Sequence, residues 1–225
     1  PPVLVLQDRG KVGLINSGSE ATVRFTVLPF LRQQGVNQID WAIDLNLDST
    51  SIPGWQALLS QMPIQNFYSR AAKKTSAEAQ GSLVQAIQTH QGTAISLTIG
   101  QPISFGTANL KLLNSRPIAL QLQVQEQTWI LLQNVPSQAD TLSDIAKSLP
   151  PATLLWWSGN LQNIAALNKI QPKTAIVSGN TILPEIQNWL QQNDAKTFVT
   201  GREGAINWTN DQGFQTSSDA TDTVQ

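Results

Sequence analysis

Few side chains in this chain of 225 residues could carry chemistry: it has one histidine, His90, and no cysteine. Without cysteine there is no thiolate nucleophile and no thiolate zinc site, and a single histidine cannot supply the three or four nitrogen or sulfur ligands of a zinc centre. A Ser-His-Asp triad would have to use His90, which follows a predicted helix and is typical of an exposed cap. The acidic residues show no spacing that pairs two carboxylates. We therefore predict no catalytic residue and no metal or other cofactor.

The charge balance excludes one class of function and leaves a narrower one open. The chain has 14 Lys and Arg against 15 Asp and Glu, and charged residues make up 13% of it. Broad, sequence-independent nucleic-acid binding needs many phosphate-neutralising cations, which this chain lacks. A local basic segment remains, with Arg70, Lys73 and Lys74 as candidate DNA contacts. The alternative is that this segment is a solvated loop.

Hydrophobic periodicity predicts a mixed α/β chain. Strands are predicted over 3–6, 11–16, 39–44, 64–68, 152–157, 174–177 and 197–200. A five-stranded meander is predicted over 93–97, 103–105, 109–113, 118–124 and 128–132, and a closing hairpin over 205–216. Helices are predicted over 22–34, 76–89, 137–148, 161–168 and 183–192. No linker divides the chain, so we expect one α/β domain over 1–216 and a disordered tail over 217–225. The longest apolar runs are far short of the roughly 20 residues that cross a bilayer.

The order of several motifs resembles one known family. Gly10-Lys11-Val12-Gly13-Leu14-Ile15-Asn16 is followed by Leu28-Pro29-Phe30-Leu31, by Ile39-Asp40-Trp41-Ala42-Ile43 and, near the end, by Thr200-Gly201-Arg202-Glu203-Gly204. This succession resembles the C-terminal metallo-β-lactamase-like domain of ComEC-type channels, which take up DNA in natural transformation. The resemblance covers residues 3 to 216. It implies a four-layer αββα sandwich that lacks the family's first strand, which would lie before Pro1.

The resemblance implies two metal ions that activate water against a phosphodiester, but this chain departs from the family at every metal position that can be matched. The vestigial metal positions are Asn46, Asp48, Thr50, Ser51, Asn134, Trp157, Ser158 and Thr181. None is histidine, and Asn16 stands where the family has an aspartate on its second strand. Amide, hydroxyl and indole groups do not replace imidazole as zinc ligands. A hard-cation site near Asp44 and Asp48 is the alternative to a loop whose polar side chains cap the backbone.

The leading interpretation is a non-catalytic, metal-free domain of a DNA-uptake channel, with a structural, DNA-guiding or partner-docking role. Its partners would be the transmembrane part of the same polypeptide, other DNA-uptake proteins and, weakly, single- or double-stranded DNA. The resemblance implies an extracytoplasmic, periplasmic position on an inner-membrane protein. The chain begins without Met, so we expect it to be a piece of a longer protein with apolar spans before Pro1. The alternatives are a metal-dependent nuclease with a carboxylate site and a free-standing interaction protein.

Overall fold

The computed structural model describes residues 2–46, 50–70, 77–135, 148–159, 161–162 and 164–216. The chain divides into two compact units, Pro1–Asn109 and Leu110–Gln225. Each unit contains both strands and helices. The mixed α/β character predicted from the sequence is therefore confirmed, while the extent of a single domain over 1–216 stays a prediction.

A five-stranded sheet forms the centre of the first unit, with strand order β1-β2-β3-β4-β5. The strands are β1 (Leu4–Asp8), β2 (Lys11–Ile15), β3 (Ile39–Asp44), β4 (Ile64–Ser69) and β5 (Thr93–Ser96), and β6 (Pro102–Phe105) follows them in the chain. β1 is antiparallel to β2, and the other neighbours are parallel. All six residues of β3 are buried, as expected of a central parallel strand.

The helices of the first unit pack on this sheet through an apolar cluster. They are α1 (Glu20–Thr22), a π-helical segment (Val23–Val27), α2 (Leu28–Gln33), α3 (Ser51–Leu59) and α4 (Ala77–Thr89). The Ser19 hydroxyl accepts a hydrogen bond from the Thr22 N–H and so caps α1. Val23, Val27 and Leu31 are buried, and Pro29 lies in the first turn of α2, where its missing N–H costs little. Val23, Phe25 and Val27 also alternate like the residues of a strand, but the segment is helical.

The second unit is built on a sheet in which the strands run in the order β12-β11-β10-β9-β8-β7. They are β7 (Ala108–Ser115), β8 (Ile118–Val124), β9 (Gln127–Val135), β10 (Leu154–Gly159), β11 (Thr174–Ser178) and β12 (Lys196–Val199). β9 to β12 pair in parallel, and β8 pairs with β9 antiparallel. The helices are α5 (Ile164–Ile170), α6 (Pro184–Gln192) and α7 (Thr200–Glu203), and a separate hairpin joins β13 (Ile206–Thr209) to β14 (Gly213–Thr216).

Two details differ from the sequence prediction. The strand predicted over 93–97 is expected to be the first strand of the antiparallel meander. In the structure this strand is β5, and it pairs in parallel with β4. The α4 helix between these strands provides the long connection that a parallel pair requires. The short helix α7 was missed because Gly201 and Gly204 indicate turns, although Gly204, at φ 72°, does end the helix. The predicted helix over 137–148 lies outside the described residues except for Ser148, and the predicted tail over 217–225 lies outside them entirely.

Among the described residues, no helix combines the length and the apolar character needed to cross a lipid bilayer.

Gly13 makes room for an aromatic stack in the first unit. A Cβ at Gly13 would overlap the Trp41 indole, which stacks on Phe105 with ring centroids 3.6 Å apart. We predict that Gly13→Ala lowers the free energy of unfolding by about 2 kcal/mol or more, because the indole must move in a packed interior. Urea unfolding followed by tryptophan fluorescence measures this change. The matched control is Gly81→Ala in α4, where a Cβ meets nothing within 4 Å and should stabilise by about 0.5–1 kcal/mol; equal effects of the two changes would contradict the prediction.

Candidate functional site

The candidate site in the first unit lies where β2 and β3 end and the loop toward α3 begins. Asn16 follows β2, and Asp44 is the last residue of β3. Both side chains are fully buried. Carboxyl ends of parallel strands are the usual place for a binding site in α/β proteins, so the partners of these two side chains decide what this loop can do.

Asn16 joins three stretches of backbone. Its side-chain Oδ1 accepts the Leu45 N–H at 3.2 Å, and its Nδ2 donates to the Pro2 carbonyl at 3.0 Å. Its own N–H donates to the Ile43 carbonyl at 2.8 Å. The φ angle of 58° lies in the left-handed region, which asparagine tolerates better than most residues. At the position where the family has an aspartate, the chain thus uses an amide as a structural connector, which both donates and accepts.

The Asp44 carboxylate is held by protein donors on both oxygens. Oδ2 accepts the Trp55 indole N–H at 2.5 Å, and Oδ1 accepts the Asn46 N–H at 2.8 Å. Trp55 is itself fully buried and meets Phe67 edge to face, with ring centroids 5.0 Å apart. A buried carboxylate requires such charge-assisted hydrogen bonds, since its desolvation is otherwise unfavourable. This carboxylate therefore organises the start of the loop and the position of α3.

The first turn of α3 packs closely against the loop that follows β2. The Ser17 hydroxyl is 3.2 Å from the Ser51 carbonyl and 3.0 Å from the Gly18 carbonyl, and both serines are fully buried. A Cβ at Gly54 would overlap the Gly18 carbonyl. Only glycine at this position allows so close an approach between helix and loop.

The vestigial metal positions of the first unit differ in burial and in hydrogen bonding. Asn46 is half-buried and contributes its backbone N–H to Asp44. Thr50 is exposed and precedes α3, whereas Ser51 is buried in its first turn. Asp48 lies outside the described residues.

In the second unit the structure brings two of the predicted positions together. Trp157, at the end of β10, and Thr181, before α6, line one cavity of about 30 Å³ with Gly159, Leu161, Ile182 and Leu183. Trp157 is 2% exposed and belongs to the apolar cluster that α5 and α6 cover. Such a cavity has room for about one water molecule. Ser158 is half-buried beside it in sequence.

The remaining position, Asn134, lies in β9 at an irregularity of strand pairing. Leu132 pairs with Trp157 and Val135 with Gly159, so β9 advances by three residues where β10 advances by two. The side chain of Asn134 lies outside the described ones. Its neighbour Gln133 is 2% exposed, and its Oε1 has no hydrogen-bond partner among the described residues.

The candidate DNA contacts are only partly described. Arg70 follows β4, is half-buried, and accepts a hydrogen bond from Gln80 Nε2 at its carbonyl, 3.2 Å away. Lys73 and Lys74 lie outside the described residues. Their role as DNA contacts stays a prediction.

Comparison with solved structures identifies the fold. The chain is similar to the metallo-β-lactamase fold protein YhfI from Bacillus subtilis, with 13% identity over 88% of this chain and 87% of that one, and a TM-score of 0.57. It is also similar to a diphosphatase from the PhnP family, with 12% identity, 88% and 80% coverage and a TM-score of 0.56. A third is CmlA, a diiron β-hydroxylase from Streptomyces venezuelae, with 10% identity, 88% and 51% coverage and a TM-score of 0.55.

The chain has the metallo-β-lactamase fold. The predicted fold class is thereby confirmed. The sequence matches no family model and is significantly similar to no curated protein.

The described side chains at the vestigial metal positions do not fit a metallo-β-lactamase-type centre. The described part of the chain contains no group of three His, Cys, Asp or Glu side chains that could hold a metal ion. Trp157 is apolar core, and Asp44 has a protein donor on each oxygen. His90 lies exposed just beyond α4. No mechanistic step through a metal follows from these residues.

Sequence reasoning missed the hydrogen bond between Trp55 and Asp44. The sequence offers Asp44 as a candidate cation ligand and gives Trp55 no role. The signal was available in the spacing: a carboxylate at the end of a strand followed eleven residues later by an indole N–H donor in the next helix. Tryptophan buried in a core usually finds such an acceptor.

We predict that Trp55→Phe lowers the free energy of unfolding by about 1–3 kcal/mol, because it removes an N–H donor from a buried carboxylate. Chemical denaturation measures the change. The matched control is Trp189→Phe, which removes the indole N–H that Trp189 donates to Asn168 at 2.8 Å on the surface and should cost about 0.5 kcal/mol. A loss at Trp55 no larger than the loss at Trp189 would show that Asp44 does not need this donor.

Proposed function

We propose that the chain is a non-catalytic, metal-free metallo-β-lactamase-fold domain of a DNA-uptake channel, retained for a structural, DNA-guiding or partner-docking role. The metallo-β-lactamase fold is the scaffold that the motif resemblance implies. The observation that carries the non-catalytic part is the hydrogen bonding of Asp44 to Trp55 and Asn46. It supports a loop used to hold the fold together, because both carboxylate oxygens already accept hydrogen bonds from the protein.

The second unit supports the same proposal through packing. A metal centre of the two-metal hydrolase type needs open coordination positions and space for the substrate. Trp157, one of the vestigial metal positions, contributes a buried indole to the apolar core. The adjoining cavity measures about 30 Å³. A side chain of this size at a former ligand position favours closure of the site over a change of metal.

The biological setting rests on the resemblance of motifs alone. We propose a periplasmic, extracytoplasmic position as part of an inner-membrane protein, next to the transmembrane channel portion of the same polypeptide and to other DNA-uptake proteins. DNA would bind weakly at most, because the chain has a formal net charge of −1 and only one short basic segment.

Metal content and nuclease activity test the non-catalytic proposal. We expect substoichiometric metal by elemental analysis after incubation with zinc, manganese or magnesium and desalting. We also expect no metal-dependent cleavage of single- or double-stranded DNA. The control is the pair of variants Asp44→Asn and Asp48→Asn, which distinguishes a contaminating nuclease from a carboxylate site in this chain. Stoichiometric metal together with cleavage that both variants abolish would establish the alternative, an active phosphodiesterase.

The DNA-guiding role predicts a salt-sensitive interaction that depends on one segment. Changing Arg70, Lys73 and Lys74 to Ala should weaken binding to a labelled oligonucleotide and reduce the slope of log K against log salt by about 2–3, since each of three phosphate contacts contributes roughly 0.7–0.9. Fluorescence anisotropy at several salt concentrations measures both quantities.

The matched control removes three positive charges elsewhere, by changing the exposed Lys111, Lys169 and Lys173 to Ala. It should weaken binding less and leave the slope nearer to that of the parent. Equal losses of DNA affinity in the two variants would show that the interaction depends on net charge and not on this segment. No binding by the parent would exclude the DNA-guiding role and leave the structural role in place.

A further inference from the structure

The helical segment between β2 and β3 packs on the sheet through one apolar stripe. The segment runs without a break from Glu20 to Gln33, through α1, the π-helical turns and α2. Val23, Val27 and Leu31 are buried in the apolar cluster of the first unit. Residues four apart lie on one side of a helix, so this inner stripe accounts for the packing of the segment on the sheet.

A second apolar stripe lies on the outer side of the same segment. Ala21, Phe25 and Pro29 repeat with the same spacing of four, displaced by two residues from the inner stripe, which places them about half a turn away from it. All three are exposed, Phe25 by 80%, and the neighbouring Phe30 is 37% exposed. A surface helix is normally apolar on one side only, and a helix that is apolar all round is normally covered all round. The outer stripe therefore indicates a contact surface.

Two arginines lie on the exposed part of this segment, Arg24 among the π-helical turns and Arg32 in the last turn of α2. Arg32 donates to the side-chain oxygen of Gln61 at 2.6 Å, and Arg24 pairs with Glu20 at 2.8 Å. Both contacts are on the surface, where such pairs contribute little and exchange readily for other partners. Glu20 is the only acidic residue of the segment, which is thus locally positive in a chain whose net charge is −1.

We propose that the outer side of this helical segment is a contact surface for an anionic lipid bilayer. Phe25 and Phe30 enter the boundary between headgroups and acyl chains, and Arg24 and Arg32 bind the lipid phosphates beside them. Aromatic side chains flanked by cationic ones are typical of helices that lie on a membrane surface. The inference does not rest on the DNA-uptake setting, although a lipid surface agrees with the inner-membrane position proposed above.

The size of the outer stripe favours a lipid surface over a protein partner. A whole aromatic side chain buries roughly 150–250 Å², so the exposed parts of Phe25 and Phe30 together amount to roughly 200–300 Å². A stable protein interface takes about 800 Å² from each partner. Binding to a bilayer scales with the apolar area that enters it and with the attraction to anionic lipids, and it requires no matching protein surface. Contact through so few side chains is weak and reversible.

Co-sedimentation with lipid vesicles tests the proposal. One set of vesicles contains equal parts of phosphatidylglycerol and phosphatidylcholine, and the other contains phosphatidylcholine alone. We expect the protein to bind the anionic vesicles at least about tenfold more tightly than the neutral ones, and to bind them less tightly as the salt concentration rises. No binding to the anionic vesicles, or equal binding to both sets, would overturn the proposal. So would self-association of the protein without vesicle binding, because it would assign the surface to a second copy.

Replacing the most exposed ring tests the apolar part of the contact. Phe25→Ser should weaken binding to the anionic vesicles by about tenfold, because the ring no longer leaves water. The Phe25 side chain lies outside the core, so the variant should fold like the parent. The matched control is Ile99→Ser, which removes a side chain that is 52% exposed in the turn after β5 and should bind like the parent. Equal losses in the two variants would contradict the proposed surface.

The double variant Arg24→Gln and Arg32→Gln tests the electrostatic part. It should weaken binding to the anionic vesicles by about tenfold or more, since each cation near an anionic surface adds to the attraction. The matched control removes the same charge from the second unit, by Lys169→Gln and Lys173→Gln, and should lose less. If the control loses as much, the contact depends on net charge and the proposal is wrong.

A fluorescent label locates the contact directly. The chain has no cysteine, so one introduced thiol can carry an environment-sensitive fluorophore. Thr26→Cys places the label beside Phe25, and Gln88→Cys places it on the exposed side of α4. Anionic vesicles should shift the emission of the first label to the blue and leave the second unchanged. A shift of equal size in both, or in the second alone, would place the contact elsewhere.

Discussion

The Asp44 carboxylate is the constraint on which the first unit depends. It is fully buried at the end of a fully buried strand, and its two oxygens accept hydrogen bonds from the next loop and from the following helix. Leaving such a group without donors costs several kcal/mol, so Trp55 and the Asn46 backbone must be in place when the sheet is formed. The position of α3 follows from this requirement, and the packing of Gly54 on the Gly18 carbonyl follows from the position of α3.

The two units bury the residues of the candidate site by different means. At the β2 and β3 ends the buried side chains are polar and bond to the protein: Asn16 to the backbone of Pro2 and Leu45, and Ser17 to two carbonyls. At the end of β10 the side chain is large and apolar, and Trp157 belongs to the cluster beneath α5 and α6. Hydrogen bonding and apolar burial both remove groups from solvent, but only the first preserves the geometry of a loop.

Much of the fold could be predicted from the sequence because local signals agreed with the tertiary structure. β3 and β8 begin and end at the predicted residues, 39–44 and 118–124, since each is flanked by turn residues and has an unbroken strand pattern. The placement of β5 could not be predicted, because alternation identifies a strand without naming its neighbour. The bonds of Asp44 were missed for a related reason: a carboxylate at a strand end has the same pattern whether it binds a cation or an indole.

Several carboxylates of the described structure hold the backbone in place. Asp8 accepts the backbone and hydroxyl donors of Thr107, which hold its pKa below the usual value. Asp40 accepts the Val12 N–H and pairs with Lys11 at 2.7 Å, and Glu203 accepts the Val199 N–H at the start of α7. With Asp44, these groups fasten turns, strand ends and a helix start. Because the chain has few charged residues, each carboxylate that bonds to the backbone leaves one fewer to bind a cation or to transfer a proton. The groups that stabilise the fold are thus of the same kind that catalysis would require.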